Sequence, residues 1–256
     1  MTGSPAKGVL PHSQSLVRLW KKYQMSNIPL ILNRAVKRLR TEGPIRTLDV
    51  AAYHLGELGY DWWYGTRTCG YVTLNELGLN QGHGHDYAPV EADSLRKIIS
   101  GLKLRPGQDV FIDYGSGMGR ALIAAASWPF RTIIGVELSA QLNEIAERNI
   151  AKVRKTLKCA DVQVITANAM TYMPPPETTV FFFFNPFMGE VLSAVLENIH
   201  QSLLSAPRPI TLIYEPPRGQ THTMLDTLDW MTRPKIFRTR LGRDVFIYHN
   251  DFNSRS

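Results

Sequence analysis

The chain has 256 residues, 44% of them hydrophobic and 20% charged, which suits one α/β domain with an N-terminal extension and a substantial core. Two cysteines, Cys69 and Cys159, exclude a disulfide framework; no run approaches 18 uninterrupted apolar residues and the N-terminus lacks a signal-like apolar stretch, so a soluble protein of the reducing cytoplasm is expected. The net charge of +7 lies entirely in residues 1–50, with nine Lys/Arg against two Asp/Glu, and the balanced remainder argues against a catalytic domain that wraps nucleic acid.

Residues 1–15, rich in Gly, Ser and Pro, predict no regular structure. Residues 16–60 read as helical, interrupted at Pro29 and at Gly43-Pro44. Their basic stretches, Arg18 to Tyr23 and Lys37 to Arg40, would either cap the domain with a solvated face or meet an acidic partner, RNA or a membrane surface. Residues 61–90 form an aromatic, loop-rich segment that includes Tyr64, Thr68 and Tyr87, and a helix from Glu91 to Leu102 leads into the core. The implied division is 1–60 as extension, 61–100 as loop region and entry helix, and 101–256 as core.

From residue 110 strands and helices alternate. Strands are predicted at 110–114, 132–138, 162–166, 180–184 and 210–214, with helices at 118–128, 140–156, 189–204 and around 221–230. Such alternation predicts a parallel sheet covered on both faces. The last two strands, 235–240 and 244–249, have no helix between them and must form an antiparallel hairpin.

The most informative stretch is Asp113-Tyr-Gly115-Ser116-Gly117-Met-Gly119, at the end of the first strand, with Glu137 ending the second strand 24 residues later. Glycines let backbone approach a ligand at a helix N-terminus, and an acid on the second strand can take both hydroxyls of a ribose. A dinucleotide fingerprint would place its third glycine at Arg120, and a pyrophosphate would be repelled by Asp113; the ammonium of an amino-acid-bearing cofactor would not. The D-x-G-x-G-x-G run with Glu137 downstream resembles motif I and the acidic loop of class I S-adenosylmethionine (SAM) methyltransferases. That resemblance implies a Rossmann-like α/β fold of five parallel strands plus a terminal antiparallel hairpin, and SAM as cofactor.

Ligands of such sheets bind beyond the C-terminal strand ends. There the resemblance implies that Asp113, Gly115, Ser116, Gly117 and Gly119 line the methionine part of SAM, with Glu137 at the ribose hydroxyls and Leu138 as a further cofactor contact. Asn168 and Ala169 follow the third strand; the Asn168 amide could accept the adenine amino group or simply order a turn. Asn185-Pro186-Phe187 ends the fourth strand and resembles the Asn/Asp-Pro-Pro-Tyr/Phe motif of amino-group methyltransferases, one proline short, so Asn185 is a candidate for both cofactor and acceptor contact. Glu215 ends the fifth strand, either toward the substrate or as a loop-ordering carboxylate. His83 and His85, flanked by glycines, are candidate bases or polar loop residues; with Asp86 they are too few for a metal site, and none is expected.

The blocks Tyr64-Gly-Thr-Arg-Thr68-Cys-Gly70, Tyr87-Ala-Pro89, Asp113 to Gly119, Gly135-Val-Glu137 and Asn185-Pro-Phe187 are similar to a bacterial group of class I SAM methyltransferases, many without an assigned substrate. In that group Tyr64, Thr68, Gly70 and Tyr87 would form a lid over SAM. The cofactor run is also similar to that of class I histone-lysine methyltransferases, which by itself implies no histone substrate. The expectation is methyl transfer to a nitrogen or oxygen of a small organic acceptor, with Asn185, Glu215 and His85 as candidate catalytic residues. An RNA or protein methyltransferase guided by the basic helices, and a SAM-binding protein without catalysis, are the alternatives; oligomeric state is left open.

Overall fold

Gly43 adopts φ 82° and ψ 173°, a conformation that a residue with a side chain resists, and Pro44 follows it. In this computed structural model the N-terminal helix α1 (Ile28–Tyr64) is therefore two helical segments meeting at a kink. The structure describes residues 28–70, 72–73, 87–217 and 224–250. The Gly43-Pro44 break is as the sequence reads. Pro29 breaks nothing within the described residues: it sits in the first turn of α1, where a missing N–H costs no helical bond. The helix also runs on through residues 61–64, which the sequence placed in the loop region.

The remaining elements are α2 (Ala92–Ser100), β1 (Val110–Tyr114), α3 (Arg120–Ala125), β2 (Thr132–Glu137), α4 (Ala140–Val153), β3 (Val162–Thr166), β4 (Thr178–Phe184), α5 (Glu190–Ser205), β5 (Thr211–Glu215), β6 (Lys235–Arg238) and β7 (Asp244–His249). They form one seven-stranded sheet in the order β3-β2-β1-β4-β5-β7-β6. The first five strands pair in parallel, and β7 enters antiparallel between β5 and β6. This is the Rossmann-like class I methyltransferase fold. Strand order reverses between β1 and β4, so the crevice for a ligand opens above their C-terminal ends.

Strand periodicity explains the phenylalanine run. Val180 and Phe182 enter the core under α2 and α3, while Phe181 and Phe183 enter the core under α5. Phe183 stacks on Tyr114 of β1 with ring centroids 5.3 Å apart, and Phe182 on Phe111 at 6.0 Å. A hydrophobic run in place of alternation is what a strand covered on both faces requires.

Two expectations need correction. The helix expected around 221–230 is, among the described residues, only a 3-10 turn (Met224–Thr227); residues 218–223 lie outside them. The helix expected over 118–128 is shortened to α3, because Gly119 holds a left-handed φ of 80° and the chain enters the helix only at Arg120.

The N-terminal helix is fastened to the β6–β7 turn of this framework. Asp49 bonds Arg240, at 2.5 Å, in the turn between β6 and β7, and the Arg240 guanidinium lies over the Tyr53 ring. Glu91 accepts from Thr239 Oγ1 at 2.7 Å and from the Leu241 N–H at 3.2 Å, tying the same turn to the start of α2.

Candidate functional site

A cleft opens at the C-terminal edge of the parallel strands. Of the residues singled out in the sequence, Tyr87, Asp113, Gly115, Ser116, Glu137, Leu138, Asn168, Ala169 and Asn185 line it. Strand register explains the convergence: Asp113 of β1 sits beside Gly135 of β2 and Phe182 of β4, and Glu137 sits beside Thr166 of β3.

The glycine turn is built around Glu137. Its carboxylate accepts the Gly117 N–H at 3.0 Å and the Ser139 N–H at 2.9 Å, so the acid at the end of β2 fixes both the turn above β1 and the start of α4. Burial pushes the Glu137 carboxyl up, and these backbone donors pull it back. A carboxylate offers about four lone-pair directions, so two remain for diol hydroxyls.

Asp113 is different. Only 3% exposed, it has no hydrogen-bond donor among the described residues, and burial, with the Glu137 charge nearby, pushes its carboxyl up to about 8. The hydroxyl of Ser116, also in the cleft lining, is buried without a partner among the described residues. Two buried polar groups without partners, both at the cleft wall, are costly unless a ligand supplies what they lack. An ammonium suits the first and an acceptor or donor suits the second; the amino-acid end of SAM has both. The residues present therefore fit that cofactor.

Gly117 and Gly119 do not line the cleft but shape it. A β-carbon on Gly117 would lie 2.3 Å from the Tyr87 ring, and one on Gly119 would lie 3.0 Å from the Ala146 side chain. Tyr87 is held in turn by its hydroxyl, which donates to the Thr68 carbonyl at 2.9 Å, and by an antiparallel bridge to Val72.

Thr68 and Tyr64 lie away from the cleft wall. Thr68 is buried in a knot organised by Asp61, whose carboxylate accepts from Thr66 Oγ1, Thr68 Oγ1 and the N–H groups of Thr68 and Cys69 at 2.6–2.8 Å. Tyr64 closes α1, its ring 4.6 Å from that of Tyr60. Glu215 is also outside the cleft: its buried carboxylate meets Arg243 at 2.5 Å, and that guanidinium lies over the Phe184 ring. His83 and His85 lie outside the described residues.

Asn168 is a turn asparagine in this state. Its Oδ1 accepts the Met170 N–H at 3.0 Å, which leaves its NH₂ as the group for a ligand. Asn185 holds a left-handed φ of 46°, and among the described non-glycine residues it alone does so. Its N–H donates to the Glu215 carbonyl at 2.8 Å. A residue held in that region directly before a proline is a strained feature at a cleft wall.

Sequence reading missed two residues. Arg120 lines the cleft, and its buried guanidinium joins Thr68 Oγ1 at 2.6 Å, the Val90 carbonyl at 2.9 Å and the carboxylate of Glu57 on α1. Asn149 on α4 accepts the Arg67 N–H at 2.8 Å and donates to the carbonyls of Arg67 and Met118, stapling the 61–70 segment to the glycine turn. A polar residue in a helix face reads as solvated; only spacing of Arg120 directly after the glycines hinted at more.

No curated protein sequence matches the chain. Solved structures similar to it include the magnesium protoporphyrin IX methyltransferase of Synechocystis PCC 6803 with bound SAM (17% identity over 62% of this chain and 77% of that one, TM-score 0.45). Others are a putative SAM-dependent methyltransferase of Methanococcus maripaludis (16%, 62% and 83%, TM-score 0.47) and the ribosomal protein L11 methylase of Lactobacillus delbrueckii subsp. bulgaricus (14%, 64% and 80%, TM-score 0.46). The family model for the histone methylation protein DOT1 matches residues 80–171. That stretch holds the glycine turn, Glu137 and Asn168, and leaves α1, Asn185 and the terminal hairpin outside the match.

Proposed function

We propose that this chain is a SAM-dependent methyltransferase that transfers the methyl group to a nitrogen or oxygen nucleophile of a small organic acceptor. The observation that carries the reading is Asp113: a buried carboxylate without a donor, in a cleft at the strand-order reversal, beside a glycine turn organised by a second acid. Asp113 would hold the ammonium, Glu137 the ribose hydroxyls, and the Asn168 amide and Leu138 the base. When bound, SAM supplies an electrophilic methyl and a good leaving group.

The chain then has mainly to position the acceptor and exclude water, and proximity alone can supply much of the barrier reduction. Asn185 is placed for this, since its amide oxygen can accept a bond from an acceptor N–H or O–H. Tyr87 covers the glycine turn and shields the cleft from that side. Glu215, committed to Arg243, is left out of the role of general base.

A protein acceptor is the second reading, favoured by the family-model match over residues 80–171. Because that match spans the cofactor-facing strand ends, it supports the cofactor more than the acceptor.

Calorimetric titration with SAM and S-adenosylhomocysteine tests the cofactor. Micromolar binding lost in Asp113→Asn and Glu137→Ala is expected; well-folded protein that binds neither compound overturns the reading. Methyl-tritiated SAM offered with metabolite, protein and RNA fractions then locates the label, and counts in a protein band would replace the small-molecule acceptor with the second reading.

A further inference from the structure

The second segment of α1, from Pro44 to Tyr64, keeps its charges paired on one face, with Glu57 and Asp61 turned inward and Arg46 and Asp49 about a third exposed. Arg46 and Asp49 pair with each other, Asp49 with Arg240, Glu57 with Arg120, and Asp61 caps the 66–69 loop. The opposite face carries no Asp, Glu, Lys or Arg at any exposed position from Ile45 to Trp63. It carries instead Ile45, Leu48, Leu55 and Trp62, exposed by 85%, 68%, 69% and 81%. Ordinary surface helices do the reverse.

The apolar positions are spaced three and four apart. Ile45, Leu48, Ala52, Leu55, Gly59 and Trp62 occupy successive a and d places of a heptad, a seam that needs a second helix rather than solvent. Side-chain sizes along the seam are complementary about its midpoint. Turning a second copy antiparallel sets Leu48 against Gly59, Leu55 against Ala52, and Ile45 against Trp62, so every large residue inside the seam meets a small one. An isologous two-fold contact requires such self-complementarity.

We propose that this face of α1 is the interface of a homodimer, two copies packing antiparallel through the Ile45–Trp62 seam. The exposed parts of these side chains and of Trp63 amount to something on the order of 800 Å² per copy, what each partner gives to a standard stable interface. Charge also selects the occupant. An anionic lipid surface or a nucleic acid would need unpaired cations bordering the apolar residues; the nearest, Arg46, is paired with Asp49, and the exposed Lys37 and Arg40 lie beyond the Gly43-Pro44 kink. The small residues Ala52 and Gly59 serve close helix approach and would do nothing for a membrane.

Sedimentation of the full chain between 1 and 100 μM (on the order of the range where such interfaces dissociate) tests the proposal. A dimer is expected, with Leu48→Glu and Leu55→Glu raising its dissociation constant at least about a hundredfold while the far-ultraviolet dichroism and melting of the monomer stay as in wild type. Orientation has its own test. The double variant Ile45→Cys/Trp62→Cys should form intermolecular disulfides on mild oxidation; Ile45→Cys alone should not, because its mates lie about 26 Å apart in the antiparallel pair. A monomer at every concentration overturns the proposal, whether or not vesicles of phosphatidylglycerol and phosphatidylcholine recruit it. A dimer indifferent to both glutamates overturns it too, and cross-linking of Ile45→Cys alone overturns the antiparallel arrangement.

Discussion

The Tyr87 ring lies directly on the α-carbon of Gly117, so close that a β-carbon there would stand 2.3 Å from two ring atoms. Gly117 also holds a left-handed φ of 53°, and its N–H is bound by Glu137. Gly117→Ala therefore meets two penalties, about 1–2 kcal/mol of backbone strain and a ring that must leave its bond to Thr68. SAM affinity should fall at least about tenfold. In Gly117→Ala/Tyr87→Ala the steric part disappears, so the two losses should be less than additive by roughly 1 kcal/mol or more in a double-mutant cycle followed by calorimetry. Additive losses would mean that the contact plays no part in shaping the turn.

Asp113 makes the protein pH-sensitive in a direction opposite to most carboxylates. Its folded value, pushed up to about 8, lies above the ordinary 3.8, so the folded state binds more protons than the unfolded chain between those values. Stability of the cofactor-free protein should accordingly decline as pH rises from about 4 through about 8. Asp113→Asn removes that dependence. It should melt several degrees above wild type at pH 8–9, on the order of 5 °C, match it near pH 4, and lose SAM binding at both. In wild type, SAM binding below pH 8 should release a proton, which calorimetry in buffers of different ionisation enthalpy would register. A variant that melts below wild type at pH 9 would show that Asp113 is stabilised by the fold rather than strained by it.

Much of this architecture is legible in the chain because it is written in local pattern. The continuous apolar runs at 110–114 and 180–184, the glycines at every second residue from Gly115, and the acids closing β1 and β2 each report a constraint confined to a few neighbours. What escapes the sequence is long-range polar pairing. Glu215 ends its strand as Asp113 and Glu137 do, and nothing near it in sequence tells that Arg243 reaches across to take its charge. Asn168 reads first as a ligand contact and only second as a turn residue, and nothing in its neighbourhood tells that its oxygen already takes the Met170 N–H. Arg120 and Asn149 are invisible for the same reason: their partners Glu57, Thr68, Val90 and Arg67 lie between 30 and 82 residues away. The apolar outer face of α1 is legible only in part, since periodicity marks two faces and cannot say which of them the core takes.

Arg120 links that helix to the cleft. Burial pulls its guanidinium down to about 10, still charged at neutral pH, and Glu57 depends on it. Arg120→Met would strand the half-buried Glu57 and unbond Thr68 Oγ1 and the Val90 carbonyl, which for a buried pair costs about 3–5 kcal/mol. For a chain of this size the melting temperature should fall by roughly 10 °C. Arg120→Lys should not restore it, since an ammonium cannot serve three partners in a plane. Arg120→Met/Glu57→Gln should recover part of the loss, because the uncompensated charge is gone. Full stability in Arg120→Met alone would show that the pair contributes nothing to the docking of α1.

Asn185 separates backbone from side chain. With φ at 46° it occupies a region that alanine enters only at a cost of about 1–2 kcal/mol and that glycine enters freely. Asn185→Ala should therefore melt a few degrees below wild type, while Asn185→Gly should melt close to it. Both remove the amide. If that amide receives the acceptor, both variants should bind SAM within about threefold of wild type and lose at least about tenfold in methyl transfer to whichever acceptor the labelling screen returns. The two hypotheses divide at Asn185→Gly: stable, SAM-bound and slow places the amide at the reacting group, whereas stable, SAM-bound and fast would leave the left-handed turn, and not its side chain, as what the site requires.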